Sequence, residues 1–128
     1  MQVLLVEDNP DILELTKISL EMIGNHQVET ATDGQIALKK IKSQAYDLIL
    51  LDDMLPLLNG FQIYETYKKT PAPHSPIIFF TANTNNTKLK IINNIVLGLI
   101  TKPFDPKGLC TTIDQLVSNF KKQQQTAS

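Results

Sequence analysis

Tryptophan is absent from the 128 residues, and Cys110 is the lone cysteine. One thiol builds neither a disulfide framework nor a zinc cluster, which fits a reducing compartment. No apolar run approaches the roughly 18 residues that a membrane helix needs. The opening "MQVLLVEDNP" turns acidic too early for a secretory signal. The expectation is a cytoplasmic protein without a membrane role. An excess of charge of one sign is also missing: 12 basic and 13 acidic side chains leave a formal net charge of -1. That balance gives no support for direct nucleic-acid binding through bulk electrostatics. There is no internal repeat and no internal linker, and the length suits a single domain.

What is present is alternation. Short apolar runs, "VLLV" (3–6), "HQVETA" (26–31), "DLILL" (47–51), "PIIFF" (76–80) and "LGLIT" (97–101), are separated by helix-period stretches near 10–23, 34–43, 59–69, 84–94 and 106–120. Asp33-Gly34, Asn59-Gly60 and "TPAPHSP" (70–76) punctuate them. Strands alternating with helices predict an α/β fold with a parallel sheet. Unbroken runs such as "LILL" and "IIFF" predict strands covered on both faces. The stripe Ile12, Leu13, Leu15, Ile18 and Met22 predicts a first helix that turns most of these side chains toward the sheet. Ile12 and Leu15, nearest the rim, are candidates for a partner-docking patch. The end, "KKQQQTAS", has no apolar period and predicts a polar, frayed tail or the start of a linker over 121–128, after a domain of 1–120.

In an open parallel sheet, ligands bind beyond the carboxyl ends of the strands. The residues after each apolar run are therefore informative: Glu7 and Asp8, Asp52 and Asp53, Thr81, and Lys102, with Thr32 and Asp33 less clearly at the same rim. Gathered carboxylates repel one another and need a cation to stay ionised together. All-oxygen donors suit Mg²⁺, or Mn²⁺, rather than zinc. An aspartate can also act as a nucleophile toward a phosphoryl group. Its oxygens would then need a metal, an ammonium and a hydroxyl donor.

The pieces "VLLVEDNP", "ATDGQIAL", "DLILLDDMLPLLNG", "PIIFFTA" and "TKPFDP" stand in order and span about residues 2 to 120. Together they resemble the response-regulator receiver domain, the phosphoacceptor module of two-component signalling. The resemblance implies a doubly wound, five-stranded parallel sheet of order 2-1-3-4-5, a flavodoxin-like three-layer sandwich. It also implies Asp52 as phosphoacceptor, because Leu55-Pro56 and Gly60 follow it at the family spacing. Strand alternation alone says only that Asp52 and Asp53 point to opposite sides. Glu7, Asp8, Asp52 and the Met54 carbonyl are the implied Mg²⁺ ligands. Thr81 is the implied donor to the phosphoryl group, Lys102 the implied partner of Asp52, and the Lys102-Pro103 bond is implied to be cis. Asp53 reads as a solvated neighbour. The implied partners are a sensor histidine kinase or histidine phosphotransfer protein, and a downstream protein at the face of the fourth helix, fifth strand and fifth helix. The implied state is a monomer or weak homodimer, and the implied role is that of a signalling module rather than an enzyme.

The sequence departs from this pattern at Leu99, where receivers usually carry Tyr or Phe as the switch partner of Thr81, and at Ile95-Val96, where Gly-Ala is usual. Asparagines at 83, 85, 86, 93 and 94 predict a short or shifted fourth helix. Neither Met54 nor Asn83 is an evident base for positioning water, which predicts a long-lived phosphoryl state. His26 and His74 read as surface or turn residues, and Tyr46, Tyr64, Tyr67 and Cys110 as packing groups. Two alternatives stay open. One is an interaction module independent of phosphorylation, favoured by Leu99. The other is a Mg²⁺-dependent phosphohydrolase, opposed by Met54 where such enzymes place a second acid. A nucleotide-binding protein is weaker, because no Gly-rich phosphate loop follows the first run.

Overall fold

A computed structural model describes residues 1–71, 73–81 and 95–126, with side chains as far as 122. Its elements run β1 (Gln2–Val6), α1 (Pro10–Ile18) continuing into a π-helical turn (Ser19–Ile23), β2 (Gln27–Ala31), α2 (Gly34–Ser43) and β3 (Leu48–Asp52). After these come α3 (Gly60–Lys68), β4 (Ile77–Thr81), β5 (Val96–Thr101) and α4 (Pro106–Thr126). All strand pairs are parallel and the order is β2-β1-β3-β4-β5, as expected. The helical stretch expected near 84–94 lies outside the described residues, so α4 corresponds to the last of the five stretches in the sequence. It runs to Thr126 rather than to about 120, in keeping with the good helix propensity of Lys and Gln in "KKQQQ".

Every residue of β3 and β4 is buried. Their alternate side chains build two separate cores, which is why their apolar runs are unbroken. Leu4, Val6, Ile49, Leu51, Ile77 and Phe79 face α2 and α3, where they meet Ile41, Ile63, Tyr64 and Tyr67. Val3, Leu5, Leu48, Leu50, Ile78 and Phe80 face the other way, toward Leu20, Leu109, Cys110 and Ile113. The three tyrosines and Cys110 are thus packing groups. His26 and His74 are partly buried, the first beside the Met1 amino group (3.0 Å) and the second beside the Thr70 carbonyl (2.8 Å).

The first helix corrects the sequence reading. Leu15, Ile18 and Met22 are 48%, 42% and 80% exposed, and Ile12 is only half-buried. The sheet side is instead made by Thr16, Ser19 and Leu20, with Leu13 partly buried beside them. The two hydroxyls tolerate burial because each donates back along the helix, Thr16 to the Ile12 carbonyl (2.6 Å) and Ser19 to that of Leu15 (3.0 Å). Their small size also lets the helix lie close to the sheet. Hydropathy ranks Thr and Ser as polar, so the stripe in the sequence pointed to the wrong face.

Candidate functional site

Short polar caps decide which rim residues are free for chemistry. Asn9 caps α1 by accepting from the amides of Asp11 and Ile12. Asp33 caps α2 through Ile36, and Asn59 forms a reciprocal capping box with Gln62 on α3. Asp33 is therefore a cap rather than a member of the site. Glu7, Asp8 and Asp52 remain, one carboxylate oxygen of each lying within 4.8 Å of the others. Glu7 and Asp52 are buried at 1% and 3% exposure, while Asp8 is exposed.

Lys102 comes from the far side of the sheet, just past β5, to close this group. Its ammonium donates to Glu7 Oε1 at 2.7 Å and to Asp52 Oδ2 at 3.0 Å. The Lys102-Pro103 bond is cis. The Met54 amide donates to Asp52 Oδ1 at 3.1 Å, while its side chain stays 74% exposed. These groups border a cavity of about 290 Å³, together with Asn9, Ile12 and Asp53. A larger hollow of about 520 Å³ lies between the carboxyl ends of α2 and α3, lined in part by Ile41, Gln44, Tyr67 and Pro71. The Ser75 polar groups there are already paired, with the Tyr46 amide (3.0 Å) and the Tyr67 hydroxyl (2.7 Å).

The electrostatics are unbalanced. Burial, helped by neighbouring Asp52 and opposed by Lys102, pushes Glu7 from its ordinary 4.5 up to about 8. Burial also acts to raise Asp52, but hydrogen bonding from Glu7, the Met54 amide and Lys102 outweighs it and holds Asp52 below its ordinary value. Burial opposes the charge on Lys102, and its two carboxylate partners overcome that and raise it. Glu7 Oε2 is buried without a hydrogen-bond partner. One ammonium thus serves two buried carboxyl groups beside a third, and one oxygen of Glu7 is left without a partner. A hard divalent cation fits this donor set.

Asp53 is a second correction. It is not solvated but 8% exposed, and Thr81 Oγ1 donates to its Oδ2 at 2.9 Å. Burial raises it above the ordinary aspartate value, and Thr81 pulls the other way. The pairing has a readable cause. β3 and β4 run in parallel with Asp52 opposite Phe80, and the Asp53 amide continues the ladder to the Phe80 carbonyl (3.1 Å). Asp53 and Thr81 are then the next residues along, so the strand order alone brings them together. Leu99 sits half-buried opposite Phe79, packed against the core on the α2 and α3 side of the sheet. Asn83 lies outside the described residues.

Comparison with known proteins agrees with this geometry. The model of the response regulator receiver domain matches residues 3–114. The nisin biosynthesis regulatory protein NisR of Lactococcus lactis subsp. lactis is 34% identical over 126 residues, 96% of this chain and 52% of that protein. The response regulator ArlR of Staphylococcus aureus is 35% identical over 113 residues, 88% of this chain and 50% of that protein. The chain therefore spans about half the length of these curated relatives. The chemotaxis response regulator CheY4 of Vibrio cholerae aligns with a TM-score of 0.79 at 28% identity, covering 90% of this chain and 97% of that one. A receiver domain protein from Methanospirillum hungatei also gives 0.79, at 27% identity over 95% and 97% of the two chains. With the fold, the acidic cluster and the lysine agreeing, the chain belongs to the response regulator receiver domain family of two-component signalling.

Proposed function

We propose that this domain accepts a phosphoryl group on Asp52 from a phosphohistidine of a sensor histidine kinase or histidine phosphotransfer protein, and signals through changed protein contacts. The observation that carries it is Asp52 itself, a buried carboxylate below its ordinary pKa and held by Lys102 at 3.0 Å. Such a group is ionised and oriented as a nucleophile. An Asp52 oxygen attacks phosphorus as the phosphorus–nitrogen bond of the donor breaks. The electron pair stays on the imidazole, which takes up a proton. Lys102 and the Thr81 hydroxyl answer the charge on the phosphoryl oxygens. Glu7, Asp8, Asp52 and the Met54 carbonyl are the groups to hold Mg²⁺ or Mn²⁺. The metal, when bound, neutralises carboxylate and phosphoryl charge.

The exposed stripe Leu15, Ile18 and Met22, continuous with Ile12 at the cavity, is the surface for the donor's helix. Output goes to a downstream protein through the face that includes β5 and α4. The module turns over no external substrate beyond its own phosphorylation and slow hydrolysis. A second reading, a receiver that signals without phosphorylation, is favoured by Leu99, which has no hydroxyl to relocate. Acetyl phosphate with Mg²⁺, followed by intact mass, separates the two. We expect one phosphoryl adduct on wild type and none on Asp52→Asn. An unmodified wild type would overturn the proposal.

A further inference from the structure

The carboxylate next to the acceptor has no cationic partner among the described residues. Asp53 is buried, its Oδ2 accepts from the Thr81 hydroxyl at 2.9 Å, and its Oδ1 is buried without a partner. Lys102 contacts Glu7 and Asp52 instead. A buried carboxylate answered mainly by a neutral hydroxyl is an expensive arrangement for stability alone. Its geometry has a direct consequence for switching. A threonine hydroxyl carries one proton and makes one donor hydrogen bond. It can give that proton to Asp53 or to a phosphoryl oxygen on Asp52, but not to both.

We infer that Asp53 is a positioning residue that holds the Thr81 hydroxyl away from the phosphoryl group and so sets the threshold for switching. The inference rests on the reading of Asp52 as acceptor and of Thr81 as a donor to its phosphoryl oxygens. In the resting domain the proton lies on the Asp53 side. When the acceptor is loaded, the hydroxyl turns and Asp53 loses that donor while still enclosed. The rearrangement is therefore opposed by Asp53 and is least opposed when its carboxylate is removed. This places a regulatory contact on the β3 side of Thr81, in a chain that carries Leu99 on β5 where the resemblance leads one to expect an aromatic residue.

The test is beryllofluoride titration with Mg²⁺ present, followed by ¹⁹F NMR, alongside the Thr81 methyl shift in the unliganded, metal-free protein. Asp53→Ala should bind beryllofluoride roughly tenfold more tightly, the scale of one hydrogen bond to a charged acceptor. It should also move the Thr81 methyl resonance before any ligand is added. Asp53→Asn keeps the shape and an uncharged acceptor, so its gain should be smaller. In a Thr81→Ala background the Asp53→Ala gain should vanish. A gain that persists there, or equal gains from Ala and Asn, would mean simple removal of negative charge and would overturn the inference. So would affinities within about twofold of wild type, well below the worth of such a bond. Wild type that binds no beryllofluoride would instead remove the acceptor reading, and this inference with it.

Discussion

Glu7→Gln should remove about one proton's worth of the pH dependence of stability expected of the wild type in the metal-free state. Glu7 is 1% exposed, and its folded-state pKa is raised from 4.5 to about 8 by burial and by Asp52. Between these values the folded protein holds a proton that the unfolded chain has released. Raising the pH therefore penalises folding, at about 1.4 kcal/mol per pH unit while the difference is one full proton. From about pH 5.5 to about pH 7.5 the loss approaches 3 kcal/mol, a large share of a small domain's stability. Asp52 titrates below its ordinary 3.8 and adds nothing in this window. Lys102, raised above 10.5, does not titrate in it. Any contribution from Asp53 is common to both proteins. The assay is urea unfolding in EDTA followed by far-UV circular dichroism, because the chain has no tryptophan for fluorescence. Wild type should lose stability with rising pH, and Glu7→Gln should be flatter by about one proton's slope. Added Mg²⁺ should restore wild type most at the alkaline end, where the cation meets an ionised Glu7. Parallel profiles for the two proteins would refute the burial argument.

Two further outcomes test the local structure. Leu57 has φ 71°, and the Leu58 amide closes a tight turn around it to the Pro56 carbonyl at 2.8 Å. Glycine carries no Cβ penalty at this positive φ, so Leu57→Gly should stabilise by up to about 1 kcal/mol in chemical denaturation, and a clear loss would show that the exposed leucine packs more than its surroundings indicate. On the first helix, Leu20→Ala should cost about 2–5 kcal/mol because Leu20 is fully buried. Ile18→Ala should cost less than about 1 kcal/mol. The reverse order would restore the helix face that hydropathy alone suggested.

The local signals in the chain were sufficient for most of the architecture. Unbroken apolar runs and helical periods located all five strands and the four described helices, and the cores on both sides of β3 and β4 explain why those runs do not alternate. Asp33-Gly34 and Asn59-Gly60, read as breaks in the pattern, mark the starts of α2 and α3, and the structure makes Asp33 and Asn59 their caps. Alternation had no basis to choose between Asp52 and Asp53, and the proposed choice of Asp52 rests on the family resemblance around "DDMLP". Topology put Glu7, Asp8 and Asp52 at one rim, and Lys102 arrived there as expected.

Tertiary structure decided what depends on a neighbour distant in sequence. Thr16 and Ser19 are buried because their hydroxyls are satisfied within the helix and because small side chains fit against the sheet. Glu7 is driven toward protonation by enclosure and by Asp52, which lies 45 positions along the chain. Asp53 looks like a surface acid in a string of letters, yet the β3–β4 register sets Thr81 beside it and leaves it largely buried. Periodicity along one strand reports which way a side chain points. Whether water or another strand waits there is a property of the whole packed sheet.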